Sequence, residues 1–190
     1  KREYIIQRID RIEKKYVEEQ HDSILITRIS DEYHVLAKRR KKIFENKNIY
    51  FEDFCIPVKG GEITGVFGSQ RILNGVPKRP HNGFDIAAPE GINIFAMTTG
   101  VVALTGNYYY NGKFVLLDHG NGFNSIYIHM SSITVEVGDY ILTNEKIGEV
   151  GSTGRSTGNH LHWGVDWNSK RIDPELLLNM EDVFLKIQKR

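Results

Sequence analysis

The stretch 113-KFVLLDHGNGFNSIYIHM-130 sets two short apolar runs, 113–118 and 125–130, on either side of Gly120-Asn121-Gly122. Both runs are shorter than a typical helix and rich in aliphatic and aromatic residues. A Gly/Asn pair between them supplies the positive φ angles of a tight hairpin. The same pattern continues outward at intervals of roughly ten residues: 92-INIFAM-97, 101-VVALTG-106, 140-YILT-143 and 146-KIGEVG-151, with Gly106-Asn107 and Asn111-Gly112 as further turn signals. Eighteen glycines against five prolines fit a fold with many turns. The reading is mainly β: a compact antiparallel β-sandwich with an N-terminal helix-containing accessory segment and a short C-terminal helix.

The first fifty residues read differently. Ile5, Ile9, Ile12 and Tyr16 recur at helical spacing and predict an amphipathic helix over 3–18. Ile24, Ile26 and Arg28 alternate with polar neighbours and predict a strand. The basic run 38-KRRKK-42 reads as a solvated face rather than a polymer-binding one. After Pro174 the spacing of Leu177, Val183, Phe184 and Ile187 turns helical again. The expected organisation is an accessory segment at 1–50, one chemistry-bearing domain at 51–178 and a helical tail at 179–190.

Composition narrows the function classes. In 190 residues, 40% are hydrophobic, and 25 basic against 24 acidic groups leave a net charge of +1. That balance gives no electrostatic footprint for nucleic acid. No apolar run is long enough to span a membrane. Cys55 is the one cysteine, which excludes an internal disulfide and a cysteine-closed structural zinc site. The chain opens on Lys1-Arg2-Glu3 without a leader pattern, so it reads as a mature fragment whose export address lies upstream.

Chemistry concentrates in three short motifs. In 80-PHNGFDIAAP-89, His81 and Asp85 are four apart, but Pro80, Gly83 and Pro89 exclude a helix, so a turn must lead into a strand at Phe84–Ala87. In 159-NHLHWGV-165, His160 and His162 alternate on a strand and share one face, while Leu161 and Trp163 take the other. Two adjacent imidazoles disfavour double protonation, and the neutral form is the one that binds metal. His129 ends the strand 125–130, on the face of Ser125 and Tyr127 by simple alternation. His119, beside the 120–122 turn, is given a structural role. His81, Asp85 and one of His160 and His162 would offer zinc two nitrogens and an oxygen and leave a fourth position open, the pattern of a catalytic site. There is no HExxH motif, so a general base is sought among the remaining histidines.

From about Phe51 to Leu178 the chain closely resembles the lysostaphin-type (LytM-like) zinc metallopeptidases, which cleave bacterial peptidoglycan. The matching motifs are 81-HNGFD-85, the histidine of 127-YIHMS-131 and 160-HLH-162, supported by 65-GVFGSQRILNG-75, 118-DHGNG-122, 136-EVGDYI-141 and 148-GEVGSTGRSTG-158. The resemblance implies one Zn2+ held by His81, Asp85 and His162, with His129 and His160 as catalytic residues outside the ligand set. It implies peptidoglycan peptide stems as substrate, with the 71-RILNG-75 style pointing to D-Ala–diaminopimelate cross-links, and a periplasmic place in the cell envelope. Arg71, Lys78, Arg79 and Arg155 flank the motifs and are candidates for holding substrate carboxylates. An upstream inhibitory domain or a regulatory protein is an expected partner. The alternatives are a non-hydrolytic peptidoglycan-binding module, an activator of a cell-wall amidase, and, more remotely, a biotinyl- or lipoyl-carrier-like domain.

Overall fold

The computed structural model describes residues 5–9, 12–16, 22–51 and 53–178. The chain begins with β1 (Ile6–Ile9), a 3-10 turn at Lys14–Tyr16 and helix α1 (Ser23–Glu45). Then come β2 (Glu62–Gly65), β3 (Gln70–Leu73), β4 (Val76–Pro77), β5 (Phe84–Ala87), β6 (Asn93–Phe95), β7 (Gly100–Tyr108), β8 (Gly112–Gly120) and β9 (Phe123–Met130). The remainder holds β10 (Ser132–Ile133), β11 (Tyr140–Ile141), β12 (Lys146–Glu149), β13 (His160–Trp167), β14 (Lys170–Ile172) and a short α2 (Glu175–Leu178).

The predicted β core is the observed one. A large antiparallel sheet runs in the order β11-β7-β8-β9-β13-β5-β2, with β14 paired to β13. The β8–β9 hairpin turns through Asn121 (φ 48°) and Gly122 (φ 73°), the two positive φ values of a type I′ connection. A second sheet, β10-β12-β6, packs over one face. The core between them includes Phe84, Ile94, Met97, Tyr127, Ile147 and Trp163, all at most 1% exposed. Burying each large side chain stabilises the fold by about 2–3 kcal/mol before entropy is counted. Gly106-Asn107, expected as a turn, instead continues inside β7; the reversal falls at 109–111, closed by the Tyr108–Gly112 pair.

The N-terminal segment contains a helix, as expected, but helix and strand exchange places. The residues expected to be helical contain β1, which pairs in parallel with β3, Ile6 opposite Gln70 and Ile9 opposite Leu73. Pairing with a distant strand overrides the local isoleucine spacing, a common outcome for short segments. The residues expected to form a strand open α1 instead. Asp22 caps it, its Oδ1 accepting from the backbone N–H groups of Ile24 (2.9 Å) and Leu25 (3.3 Å). Leu36 and Ile43 of α1 cover Ala103, Phe114, Leu116 and Ile126 on the large sheet's second face. Leu177 of α2 is buried; His21, Val183, Phe184 and Ile187 lie outside the described residues.

Candidate active site

Strand register brings three of the singled-out side chains to one point. His162 on β13 lies directly opposite Asp85 on β5, so the two share the large sheet's second face. His81, just ahead of β5, is fixed by backbone hydrogen bonds in both directions: its N–H donates to Ser69 O and its carbonyl accepts from Gly68 N–H. Its Nε2 reaches His162 Nδ1 at 2.9 Å and Asp85 Oδ1 at 3.1 Å, and His162 Nδ1 lies 2.7 Å from the same oxygen. Two glycines leave room for this cluster. A Cβ on Gly83 would come within 2.6 Å of His162 Nε2, and one on Gly65 within 2.6 Å of Asp85 Oδ2.

The donor set fits a metal ion. His81 Nδ1 is 3.1 Å from Val66 O, so the ring proton sits on Nδ1 and Nε2 turns a lone pair to the cluster. The three ligand atoms lie within 4.8 Å of one another, and all three residues are buried. Burial pushes the Asp85 carboxyl up, but His162 and His81 outweigh it and hold the group well below the usual carboxylate range. Burial lowers His162 to about 4, against the attraction of Asp85, so it is neutral at physiological pH, the form able to ligate a metal. Arg71 takes the outer oxygen, Nη2 to Asp85 Oδ2 at 2.6 Å, while its Nε donates to Gln7 Oε1 at 3.2 Å.

His129 arrives by a route that alternation does not predict. Between the pairs Lys113–Met130 and Val115–Tyr127, two steps on β8 match three on β9. The extra residue is a β-bulge, and within it His129 has φ +68°, a left-handed conformation rare for a non-glycine residue. Ser125 and Tyr127 therefore face the core, as buried residues, while His129 is turned to the opposite face beside His160, ring centroids 4.8 Å apart. The simple alternation that put His129 with Ser125 and Tyr127 fails for this reason.

Loop 151–158 fixes both rings. His129 Nδ1 donates to Thr153 O at 2.7 Å and His160 Nδ1 to Gly158 O at 2.8 Å, leaving the Nε2 of each for the cavity that both line. Burial, then His160 and His162, hold His129 well below the usual histidine range. His119 is different in kind. It is wholly buried, with Nδ1 on Thr99 O and Nε2 on Ser125 Oγ, both at 2.8 Å.

The cavity measures about 560 Å³. Arg71 and Arg155 line it, and Arg155 stacks over Tyr110 at 5.0 Å. Lys78 and Arg79 are not among its lining residues. Gln7 of β1 also lines it, as do Arg40 of α1 and Arg171 of β14, three residues that carry no sequence motif.

The description "Peptidase family M23" matches residues 79–174, half of the chain, and spans all five of these histidine and aspartate positions. The chain belongs to peptidase family M23. The peptidoglycan DD-endopeptidase ShyA of Vibrio cholerae is 43% identical over 95 residues, which is 49% of this chain and 22% of that protein. A crystal structure of a peptidase M23 homologue from Pseudomonas aeruginosa superposes with a TM-score of 0.67 at 35% identity, over 82% of this chain and 63% of that one. A zinc containing peptidase from Vibrio cholerae gives 0.61 at 30% identity, over 65% and 39%. The match to ShyA and to other curated relatives spans about a fifth of their length. The family resemblance drawn from the motifs is thus the family to which the chain belongs.

Proposed function

We propose that this chain is a zinc-dependent peptidase that hydrolyses peptide cross-links of bacterial peptidoglycan in the cell envelope, of the D-Ala–diaminopimelate type. The observation that carries the reading is the joint placement of a two-nitrogen, one-oxygen cluster and two further histidines on one cavity. His81, Asp85 and His162 would hold the ion. When bound there, Zn2+ supplies Lewis acidity toward water and the scissile carbonyl.

The protein's own contribution is proton movement and orientation. With Nδ1 committed to a carbonyl, each of His129 and His160 has a basic Nε2 turned to the cavity, able to take a proton and later return it to the leaving amine. Burial of His129 keeps that nitrogen unprotonated at neutral pH. Arg71 holds the outer oxygen of Asp85, so the inner one keeps its aim. We take 51–178 as the catalytic unit and 1–50 as accessory. The accessory segment reaches the site, since Gln7 bonds Arg71 and donates from Nε2 to Thr64 O at 3.1 Å.

The test is a digest of purified peptidoglycan with zinc supplied and with zinc chelated, read by mass spectrometry of released muropeptides. Loss of cross-linked dimers in the zinc sample alone is the expected result and names the bond cut. Intact dimers in both samples, from the 190-residue chain and from residues 51–190, would leave a binding module or amidase activator. Cleavage by 51–190 alone would make the N-terminal segment inhibitory.

A further inference from the structure

The groove face of β13 carries His160, His162, Gly164 and Asp166 in succession, by strand alternation. Beyond the histidines this row reaches a charge cluster that the catalytic reading does not use. Asp166, 5% exposed, meets Arg171 Nη1 from β14 at 3.1 Å and Arg40 Nε from α1 at 3.3 Å. Among the described residues, one carboxylate thus serves two guanidinium groups and leaves a unit of positive charge over. Arg171 lies across Gly164, where a Cβ would sit 3.1 Å from its Nη1. The missing side chain there keeps the way open between Arg171 and His162.

The contacts within this cluster are close but badly aligned. Arg40 Nε and Nη2, Asn124 Oδ1 and Asp166 Oδ2 are buried without a hydrogen bond in the protein; among the described residues only Trp163 Nε1 shares that condition. Burial and the charge of Arg171 lower Arg40 to about 10, and Asp166 only partly offsets them. A buried ion pair offsets its desolvation only when its geometry is good and its remaining hydrogen bonds are made. Here donors and charge are in excess, and both arginines line the same cavity as His129, His160 and His162.

We propose that Arg40 and Arg171 form a carboxylate-binding subsite of the substrate groove, about two residues along the bound peptide from the scissile bond. The spacing follows from the strand. Gly164 is two residues beyond His162, about 7 Å, and an extended peptide advances by the same amount in two residues. The planar fork of each guanidinium suits a carboxylate and not an amide, so the subsite selects stems whose carboxylates are free over stems whose carboxylates are amidated. The inference rests on the peptidoglycan reading for its ligand, but not on hydrolysis.

The test uses two synthetic cross-linked stem peptides, one with every carboxylate free and one with every carboxylate amidated. Binding of each to the zinc-loaded 190-residue chain is measured by calorimetry, and cleavage is followed in the same samples. The wild-type chain should bind the free form about 10-fold or more tightly. Arg171→Gln should remove most of that preference, weakening the free form far more than the amidated one, with zinc content unchanged. Arg171→Lys keeps the charge but not the fork and should lose preference in the same direction, which keeps the question open to measurement should the glutamine variant fold poorly. Equal binding of both peptides by the wild-type chain, or a preference that survives both substitutions, would overturn the subsite. A preference that depends on Arg171, with neither peptide cleaved by the 190-residue chain or by residues 51–190, would sink the hydrolytic reading and leave the subsite standing. Cleavage without preference would do the reverse.

Discussion

Two buried histidines on neighbouring strands, His119 on β8 and His129 on β9, show how little burial says about role. Both are held neutral by burial, His119 at about 4 and His129 well below the ordinary value. His119 has both ring nitrogens occupied, one by Thr99 O and one by Ser125 Oγ, which in turn is bonded to the Tyr127 hydroxyl. Among the described residues His129 has only Nδ1 occupied; it sits on a bulge at positive φ and lines the cavity. A ring whose nitrogens are both spent stabilises a core. A ring with one nitrogen kept back, at a position of backbone strain, has something to act on.

The largest effect that can break this comparison comes from the cluster His129 faces. His162→Ala or Asp85→Ala should abolish bound zinc and peptidoglycan cleavage together, with metal content read by mass spectrometry and activity by muropeptide release. His129→Ala and His160→Ala should keep the metal and lose turnover on the order of 10²-fold or more. A variant of His160 that lost zinc, beside a variant of His162 that kept it, would exchange the roles of the two residues. Replacement of His119 should leave metal content and turnover per folded molecule near wild type.

The separation of these roles was only partly legible in the chain. His81, Asp85 and the shared face of His160 and His162 could be read because strand alternation and the 81-HNGFD-85 spacing are local, and β5 runs where the prolines and glycine placed it; the choice of His162 within the pair came from the family resemblance, and the register of β13 on β5 sets it opposite Asp85. The bulge at His129 could not, because it exists only in the mismatch of β9 against β8, and alternation alone sent the ring toward the core. Arg40, Asp166 and Arg171 were missed for a related reason: they come from α1, β13 and β14 and meet only through tertiary packing. The N-terminal segment misled because Ile5, Ile9 and Ile12 carry a helical period, whereas the pairing of Ile6–Ile9 with Gln70–Leu73 decides its state. A better local signal lay unused in Leu36, Arg40 and Ile43, which share one face of α1 and meet the sheet.

His119 predicts a stability effect of intermediate size. Its folded pKa of about 4 lies below the ordinary 6.5, so between those values the unfolded chain holds a proton that the folded one does not. Stability therefore rises with pH through that window, is complete above about 6.5 and is lost as pH falls toward 4. The contribution is about 3 kcal/mol between neutral pH and pH 4. Urea unfolding at a series of pH values should show this loss in the wild-type chain and a shallower one in His119→Gln, which has no imidazole to protonate. Parallel curves for the two proteins would mean that the acid sensitivity lies elsewhere, in His129 or His162.

The smallest effect is the sharpest test of the bulge. A non-glycine residue in the left-handed region carries a backbone penalty of about 1 kcal/mol or more, which glycine does not. His129→Gly should therefore be more stable than His129→Ala by about that amount, the reverse of the order expected at an ordinary strand position, where glycine weakens the strand. Both variants lack the imidazole and should be equally poor in turnover, so the sign of the difference in unfolding midpoint between them reports whether backbone strain at this position outweighs the entropy cost of glycine. If alanine proved the more stable of the two, β9 would continue its regular alternation at this point. His129 would then belong, like His119, to the packing of the core rather than to the groove.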